Sequence, residues 1–212
     1  MENFSIETIQ KRKDPSSEDR ELIKFCLTLL VVFLLISTII SSNFINVKVV
    51  GASMENTLHN GDVLCVKTGA NITYGDIVII DNKKPNEYIV KRVIGLGGDT
   101  IEIRSGKVYR NGVELDESSY VKKINGVPVQ TSAIGGSTDF TTSVKWELKD
   151  NEIFFLGDNR INSTDSRAES YGPCLYSDIV GIIPNWSYKI KGVTTAWNKA
   201  IEKVKGFFVG GK

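Results

Sequence analysis

A serine, a lysine and one short polar run are the residues of this sequence whose types and settings could do chemistry. Ser53 lies in G-A-S-M-E-N-T-L, Gly51 to Leu58, just past the end of a long uncharged run. A serine hydroxyl is a weak nucleophile until a base removes its proton. The chain holds a single histidine, His59, only six residues beyond Ser53, and its setting reads as a surface loop. A multi-histidine metal centre is thereby excluded, and a hydrolase built on Ser53 needs a different base. Lys91, in the run Y-I-V-K-R-V-I-G, is the candidate. On a strand, Ile89 and Val93 share its face, and removal of water by such β-branched neighbours lowers an amine pKa. To serve as a neutral base near pH 8 it must fall by roughly two units from about 10.4. A strand lysine otherwise carries its amine out to water along its flexible stem, and the run by itself leaves both readings open. Arg92, pointing the other way, is expected in a structural ion pair.

The polar run is Gly157 to Arg167, G-D-N-R-I-N-S-T-D-S-R, with two arginines, two aspartates and two asparagines in eleven residues. It reads either as a salt-bridged turn after the strand E-I-F-F-L or as a loop whose side chains hold a site rigid.

The elements that must position these residues begin with an apolar run. From Phe25 to Val47, 23 residues pass without Asp, Glu, Lys or Arg, enough for the roughly 20 residues that cross a hydrocarbon core. A buried soluble helix would show a polar face. A cleavable leader would not carry 24 residues ahead of its apolar core. Lys11, Arg12, Lys13, Arg20 and Lys24 precede the run and only Lys48 follows closely, so the positive-inside rule predicts a cytoplasmic N-terminus and an extracytoplasmic remainder. Residues 1–20 are polar and mixed in charge, and are expected to be disordered or loosely helical.

Beyond Val47 the pattern changes to short β-branched segments: V-K-V-V, D-V-L-C-V, D-I-V-I-I, Y-I-V-K-R-V-I, T-I-E-I and K-V-Y. They predict a mainly β domain preceded by one transmembrane helix. Asn111-Gly112 and Asn125-Gly126 each predict a type I′ hairpin turn. Asp62, Asp76 and Asp99, each after a glycine, predict turn caps. Residues 131–143 read as a flexible loop inside an insertion of about 105–145. The tail could form a short amphipathic helix with Trp197, Ile201, Val204 and Phe208 on one face, packed on the domain or lying on a bilayer. The expected organisation is a cytoplasmic segment 1–23, an anchor 24–45, a β domain 46–195 and a tail 196–212. The charges, 26 basic against 25 acidic, give no case for nucleic-acid binding. Cys26, Cys65 and Cys174 form neither a disulfide framework nor a zinc pattern.

Four segments, taken together, resemble a known family. S-M-x-x-T-L at Ser53 to Leu58, Y-G-D-I-V at Tyr74 to Val78, K-R-V-I-G-L-x-G-D at Lys91 to Asp99 and G-D-N-R-x-N-S-x-D-S-R at Gly157 to Arg167 are similar to the boxes of bacterial type I signal peptidases. They stand in the family's order, directly after an apolar run. The resemblance implies an antiparallel β-sheet, barrel-like catalytic domain and a membrane-bound serine endopeptidase with a Ser-Lys dyad, Ser53 attacking and Lys91 as base and then acid. It implies that Ser163 orients the lysine, that Asp165 and Arg167 pair to buttress the loop, and that the Ser53 N–H is an oxyanion donor. Met54 is expected under the site, packing against bilayer or substrate. The implied substrates are exported preproteins cut after small residues, Ala-x-Ala in type, at the phospholipid bilayer. A monomer with no cofactor and no metal is expected. Asn56 and Gly97 stand where the family usually has proline, which predicts looser loops. Gly51 stands where some members have a serine that completes the oxyanion hole, as in the Gram-positive subgroup, and leaves the second donor unassigned. Two other readings are a self-cleaving repressor-type Ser-Lys protease and a catalytically silent pilus-assembly or chaperone-like factor. The apolar run and the last box oppose the first, and the presence of both Ser53 and Lys91 opposes the second.

Overall fold

A computed structural model describes residues 16–83, 87–135 and 137–209, and the chain divides after Ser42 into a helical unit and a β-rich unit. In the first, α1 (Ser17–Asn43) starts earlier than the apolar run. The Ser16 hydroxyl accepts from the Asp19 N–H while the Asp19 carboxylate accepts from the Ser16 N–H, a reciprocal cap that fixes the start. Residues 17–20, expected to be disordered or loosely helical, are helical, and residues 1–15 lie outside the described residues. At 27 residues the helix is roughly 40 Å long, more than the ~30 Å hydrocarbon core needs. Its apolar window has no share buried in protein. Thr28 and Thr38 each return their hydroxyl to the carbonyl four residues back, on Lys24 and Leu34, so neither presents an unsatisfied donor to an apolar surround.

The helix ends at Asn43 because the next residues pair as a strand. In the second unit, β1 (Phe44–Lys48) lies antiparallel to β2 (Val63–Lys67), with Phe44 opposite Lys67. Phe44 and Ile45, expected in the anchor, thus belong to the sheet. The chain continues through β3 (Ile77–Asp81), β4 (Tyr88–Gly95), β5 (Thr100–Arg104), β6 (Lys107–Arg110) and β7 (Val113–Glu114). There follow β8 (Lys123–Ile124), β9 (Val127–Pro128), β10 (Val144–Glu147) and β11 (Glu152–Leu156). The last strands are β12 (Cys174–Leu175) and β13 (Ile179–Ile183), before the helices α2 (Asn185–Lys189) and α3 (Lys191–Val209).

Among the described residues all strand pairings are antiparallel, as the resemblance implies. A seven-stranded sheet runs β1-β2-β13-β3-β4-β11-β12, beside a four-stranded sheet β10-β5-β6-β7 and the ribbon β8-β9. Strand β3 is apolar at every position but the last because both its faces are covered. Ile77 and Ile79 join one core cluster with Met54 and Leu58, and Val78 and Ile80 join another with Val93 and Phe155. Both Asn-Gly turns form: φ is positive at Asn111, Gly112, Asn125 and Gly126, as a type I′ turn requires. The three expected caps form too, Asp62, Asp76 and Asp99 accepting from the N–H groups of His59, Thr73 and Leu96.

Two expectations fail for identifiable reasons. Residues 131–143 are not a free loop throughout, since Thr131, Ser132 and Ala133 are buried. They supply oxygen acceptors to two buried guanidinium groups. Gly97 is not a loosened proline position either. A Cβ there would stand 2.1 Å from the carbonyl oxygen of Asp150, so the backbones approach too closely for any side chain. Gly97→Pro is therefore expected to destabilise the fold by about 1 kcal/mol or more, read as a lower denaturation midpoint, whereas an unchanged or raised midpoint would restore the loop-stiffening view.

Candidate active site

Ser53 is set by the turn between β1 and β2. Met54 and Leu58 are buried in the core and fix its inner side, with the Leu58 N–H on the Met54 carbonyl at 2.9 Å. Gly51 takes φ +94°, a conformation that glycine adopts at little cost, and donates its N–H to Asn60 Oδ1. The outer side is held by the polar run. Asn159 donates its backbone N–H to the Ser53 carbonyl at 2.9 Å and its side-chain amide to the Ala52 carbonyl at 3.0 Å. Among the described residues the Ser53 N–H has no acceptor.

Strand β4 delivers Lys91 to this turn. Its register opposite Val78 of β3 sends Lys91 to one face and Arg92 to the other. The Lys91 amine lies 2.8 Å from Ser53 Oγ, and only 4% of the residue is exposed. Burial pushes its pKa down to about 8; Asp165 and Asp158 oppose that fall and Arg167 adds to it. The charges partly cancel, so desolvation decides the sign.

Arg92 forms the expected ion pair, and its partner is Asp158, met through two bonds of 2.8 and 2.7 Å. Its guanidinium also reaches the Gly75 carbonyl and lies over the Tyr120 ring. Thr57 donates its hydroxyl to the same Asp158 carboxylate at 2.5 Å. One buried carboxylate thus ties β4, the serine turn and the polar run together. Asp165 and Arg167 pair through two bonds of 2.7 and 2.8 Å with no exposed side-chain surface on either. Burial works against ionisation of Asp165, but Arg167 and the Gly157 N–H outweigh it and hold the carboxyl below its usual range. Ser163 is buried beside Gly157 and the Ser53 carbonyl. Its Oγ lies near enough to favour the Asp165 carboxylate, yet among the described residues it completes no hydrogen bond of good geometry, to Lys91 or to any other group.

Sequence reasoning missed the role of the insertion. Arg160, fully buried, is clamped by both oxygens of Glu117 at 2.7 and 2.6 Å and by Thr131. The polar run advertised Arg160 by composition, but nothing in the setting of Glu117 marked its partner. His59 is exposed and engages Asp62 and Lys191, as a surface loop residue would. Cys65 and Cys174 are free thiols, and burial pushes Cys174 up to about 12.

A groove of about 740 Å³ opens in front of the pair. Its walls come from β1 with its extension to Gly51 and from the first half of β4, and Val49, Met54, Ile79, Val90 and Val180 make it largely apolar. The arrangement can remove a hydroxyl proton with a neutral amine, offer a free N–H beside the nucleophile and receive an extended chain along the groove.

Comparison with known proteins assigns this architecture. The model of signal peptidase, peptidase S26, matches residues 20–186. Signal peptidase I P of Bacillus subtilis subsp. natto is 34% identical over 176 residues, 81% of this chain and 90% of that one. Signal peptidase I of Streptococcus pneumoniae is 32% identical over 164 residues, 64% of this chain and 80% of that one. A crystal structure of a signal peptidase I from Enterococcus faecalis is 26% identical, with a TM-score of 0.38, covering 54% of this chain and 98% of that one. The chain belongs to the peptidase S26 signal peptidase family.

Lys91 also leaves a mark on stability. Its amine binds a proton less readily folded, near pH 8, than unfolded, near 10.5, so stability rises with pH across that window and the penalty is full below it. Lys91→Met is expected to be more stable than the parent at pH 7, on the order of 3 kcal/mol from a shift of this size, with the gap closing as pH passes 10.5. Denaturant titrations at several pH values measure this; a gap independent of pH would mean that the amine is not desolvated.

Proposed function

We propose that this protein removes N-terminal signal peptides from exported preproteins, cutting after small residues of the Ala-x-Ala type with a Ser53–Lys91 dyad. The observation that carries the reading is the 2.8 Å approach of a buried Lys91 amine to Ser53 Oγ. Neutral Lys91 takes the hydroxyl proton as Oγ attacks the scissile carbonyl, and the new oxyanion forms beside the Ser53 N–H. Lys91, now an ammonium, gives its proton to the departing amine. It then takes one from the water that hydrolyses the acyl-serine, and the returning Oγ recovers a proton from it. Ser163, a buried hydroxyl whose acceptor capacity is unused, would accept from the ammonium and steady it. Asp165, Arg167, Arg92 and Asp158 hold the loop that clamps the serine. Met54 floors the groove where an extended preprotein would lie.

The location follows the same logic. With α1 as anchor and its N-terminal side cytoplasmic, the β domain lies outside, where the end of a signal's apolar segment emerges. Confinement of both to one bilayer raises their effective concentration. A silent assembly factor would gain nothing from holding a lysine desolvated against a serine.

Cleavage of an Ala-x-Ala preprotein in detergent with phospholipid is the test. Ser53→Ala and Lys91→Ala are each expected to lose roughly 10³-fold or more in kcat/KM, with circular dichroism unchanged. Parental kcat/KM is expected to rise through a pKa of about 8, the Lys91 value. Wild-type-like turnover by either variant, or a profile set by a group near pH 6.5, would reject the dyad.

A further inference from the structure

The serine turn is gripped at several residues, and one grip comes from a segment outside all four boxes. Asn159 holds the carbonyls of Ala52 and Ser53. Thr57 is held at both ends, its hydroxyl on Asp158 and its carbonyl by Lys191 of α3. That helix is docked on β2 by the bond from Thr194 to the Val63 carbonyl. Between these holds lies Glu55, two residues past the nucleophile and at an open position of S-M-x-x-T-L. Its carboxylate accepts from the Lys122 amine at 3.0 Å, across 67 positions of sequence.

Lys122 follows a single helical turn in the insertion, in which the Tyr120 and Val121 N–H groups both return to the Glu117 carbonyl. This turn is fixed to the frame around the dyad at three points. Glu117 clamps the buried Arg160 guanidinium with both oxygens. The Tyr120 ring, its hydroxyl donated to the same Glu117, packs against the Arg92 guanidinium that pairs with Asp158. The Lys122 N–H bonds the Asp158 carbonyl at 2.9 Å. On the other side the Lys122 carbonyl accepts from Val129, at the base of the β8-β9 ribbon. The Lys122 backbone is thus pinned in both directions, and its amine leaves from a fixed point.

The Lys122 and Glu55 side chains are 25% and 30% exposed, and a pair that wet contributes little to stability. Its contribution is directional. The Glu55 N–H turns back on the Ala52 carbonyl, so a displacement of Glu55 moves the backbone that carries the Ser53 hydroxyl and N–H.

We propose that Lys122 and Glu55 are positioning residues for the cleavage reaction, the insertion setting the serine turn in register with Lys91 through this pair. The inference rests on the dyad reading above. The groove is lined by other residues, so the effect falls on kcat and not on substrate binding.

Full-length protein in detergent with phospholipid, cutting the same Ala-x-Ala preprotein, is the test. Lys122→Met and Glu55→Gln are each expected to lower kcat on the order of tenfold with KM near the parental value. The double variant is expected to lose no more than either alone. Lys122→Arg, which keeps the charge and the reach, is expected to hold kcat near parental. Lys145→Met, which breaks an exposed pair with Glu147 on β10, is the control and should leave kcat unchanged. Apart from turnover, Lys122→Met is expected to speed hydrogen–deuterium exchange over residues 53–58, where the Glu55 and Leu58 N–H groups are bonded within the turn. Losses that multiply in the double variant, a raised KM at parental kcat, or activity that falls only in step with the denaturation midpoint would overturn the positioning role. Unchanged exchange would overturn the tether itself. That readout decides the tether even for a parent that cuts nothing, an outcome that would reject the dyad reading instead.

Discussion

A lysine amine kept away from water beside a serine hydroxyl is the constraint on which this structure turns. An isolated charge in that position is costly, and the molecule meets the cost by leaving the amine free to be neutral while pairing the buried arginines around it. Arg92 is matched by Asp158, Arg167 by Asp165 and Arg160 by Glu117, each through two bonds. Each guanidinium is also satisfied by backbone carbonyls, from Gly75, Ser132, Arg160 and Gly157. The surrounding field is thereby close to balanced, and desolvation is left to set the protonation of Lys91. Breaking one pair would do more than remove a contact, because the stranded partner would become the nearest uncompensated charge to the amine.

The same pairs are the mechanical frame. Asp158 alone receives a strand arginine and a hydroxyl from the serine turn, while Asn159 next to it grips the carbonyls of Ala52 and Ser53. Gly157 closes the arrangement. A Cβ at that position would stand 2.2 Å from Ser163 Oγ and 2.6 Å from the Ser53 carbonyl oxygen, so the polar run packs its backbone directly on the turn. Directionality comes from hydrogen bonds to the main chain, and a main chain held at several points is a more rigid support than a side chain held at one.

Much of this was legible in the sequence, and the rest was hidden for physical reasons. The β-branched runs and both Asn-Gly turns disclosed the strands, because period and backbone preference are local properties. Lys91 stood out because alternation put it between Ile89 and Val93 on one face. Glu117 did not stand out, since its meaning comes only from a partner 43 positions away. Residues 131–133 looked like free loop because small polar residues are the composition of loops, whether or not their oxygens are in demand. Gly97 suggested slack, yet the Asp150 backbone fills the space. The tail's amphipathic character was visible, but which face turns inward depends on Val63 and Thr57, and no helical period contains that information.

The clamp on Ser53 also bears on when the protein becomes what it is. The bonds that fix the serine turn join residues 101 and 107 positions apart. As the chain is made from its N-terminus, Ser53 and Lys91 both exist long before Asp158 and Asn159 are synthesised. Closing so long a loop is slow and can only follow the local hairpins. A nascent or truncated chain can therefore hold a complete lysine strand and a complete serine segment without the clamp that fixes the serine turn. The geometry of the serine turn is therefore fixed late, only after Asp158 and Asn159 have been made.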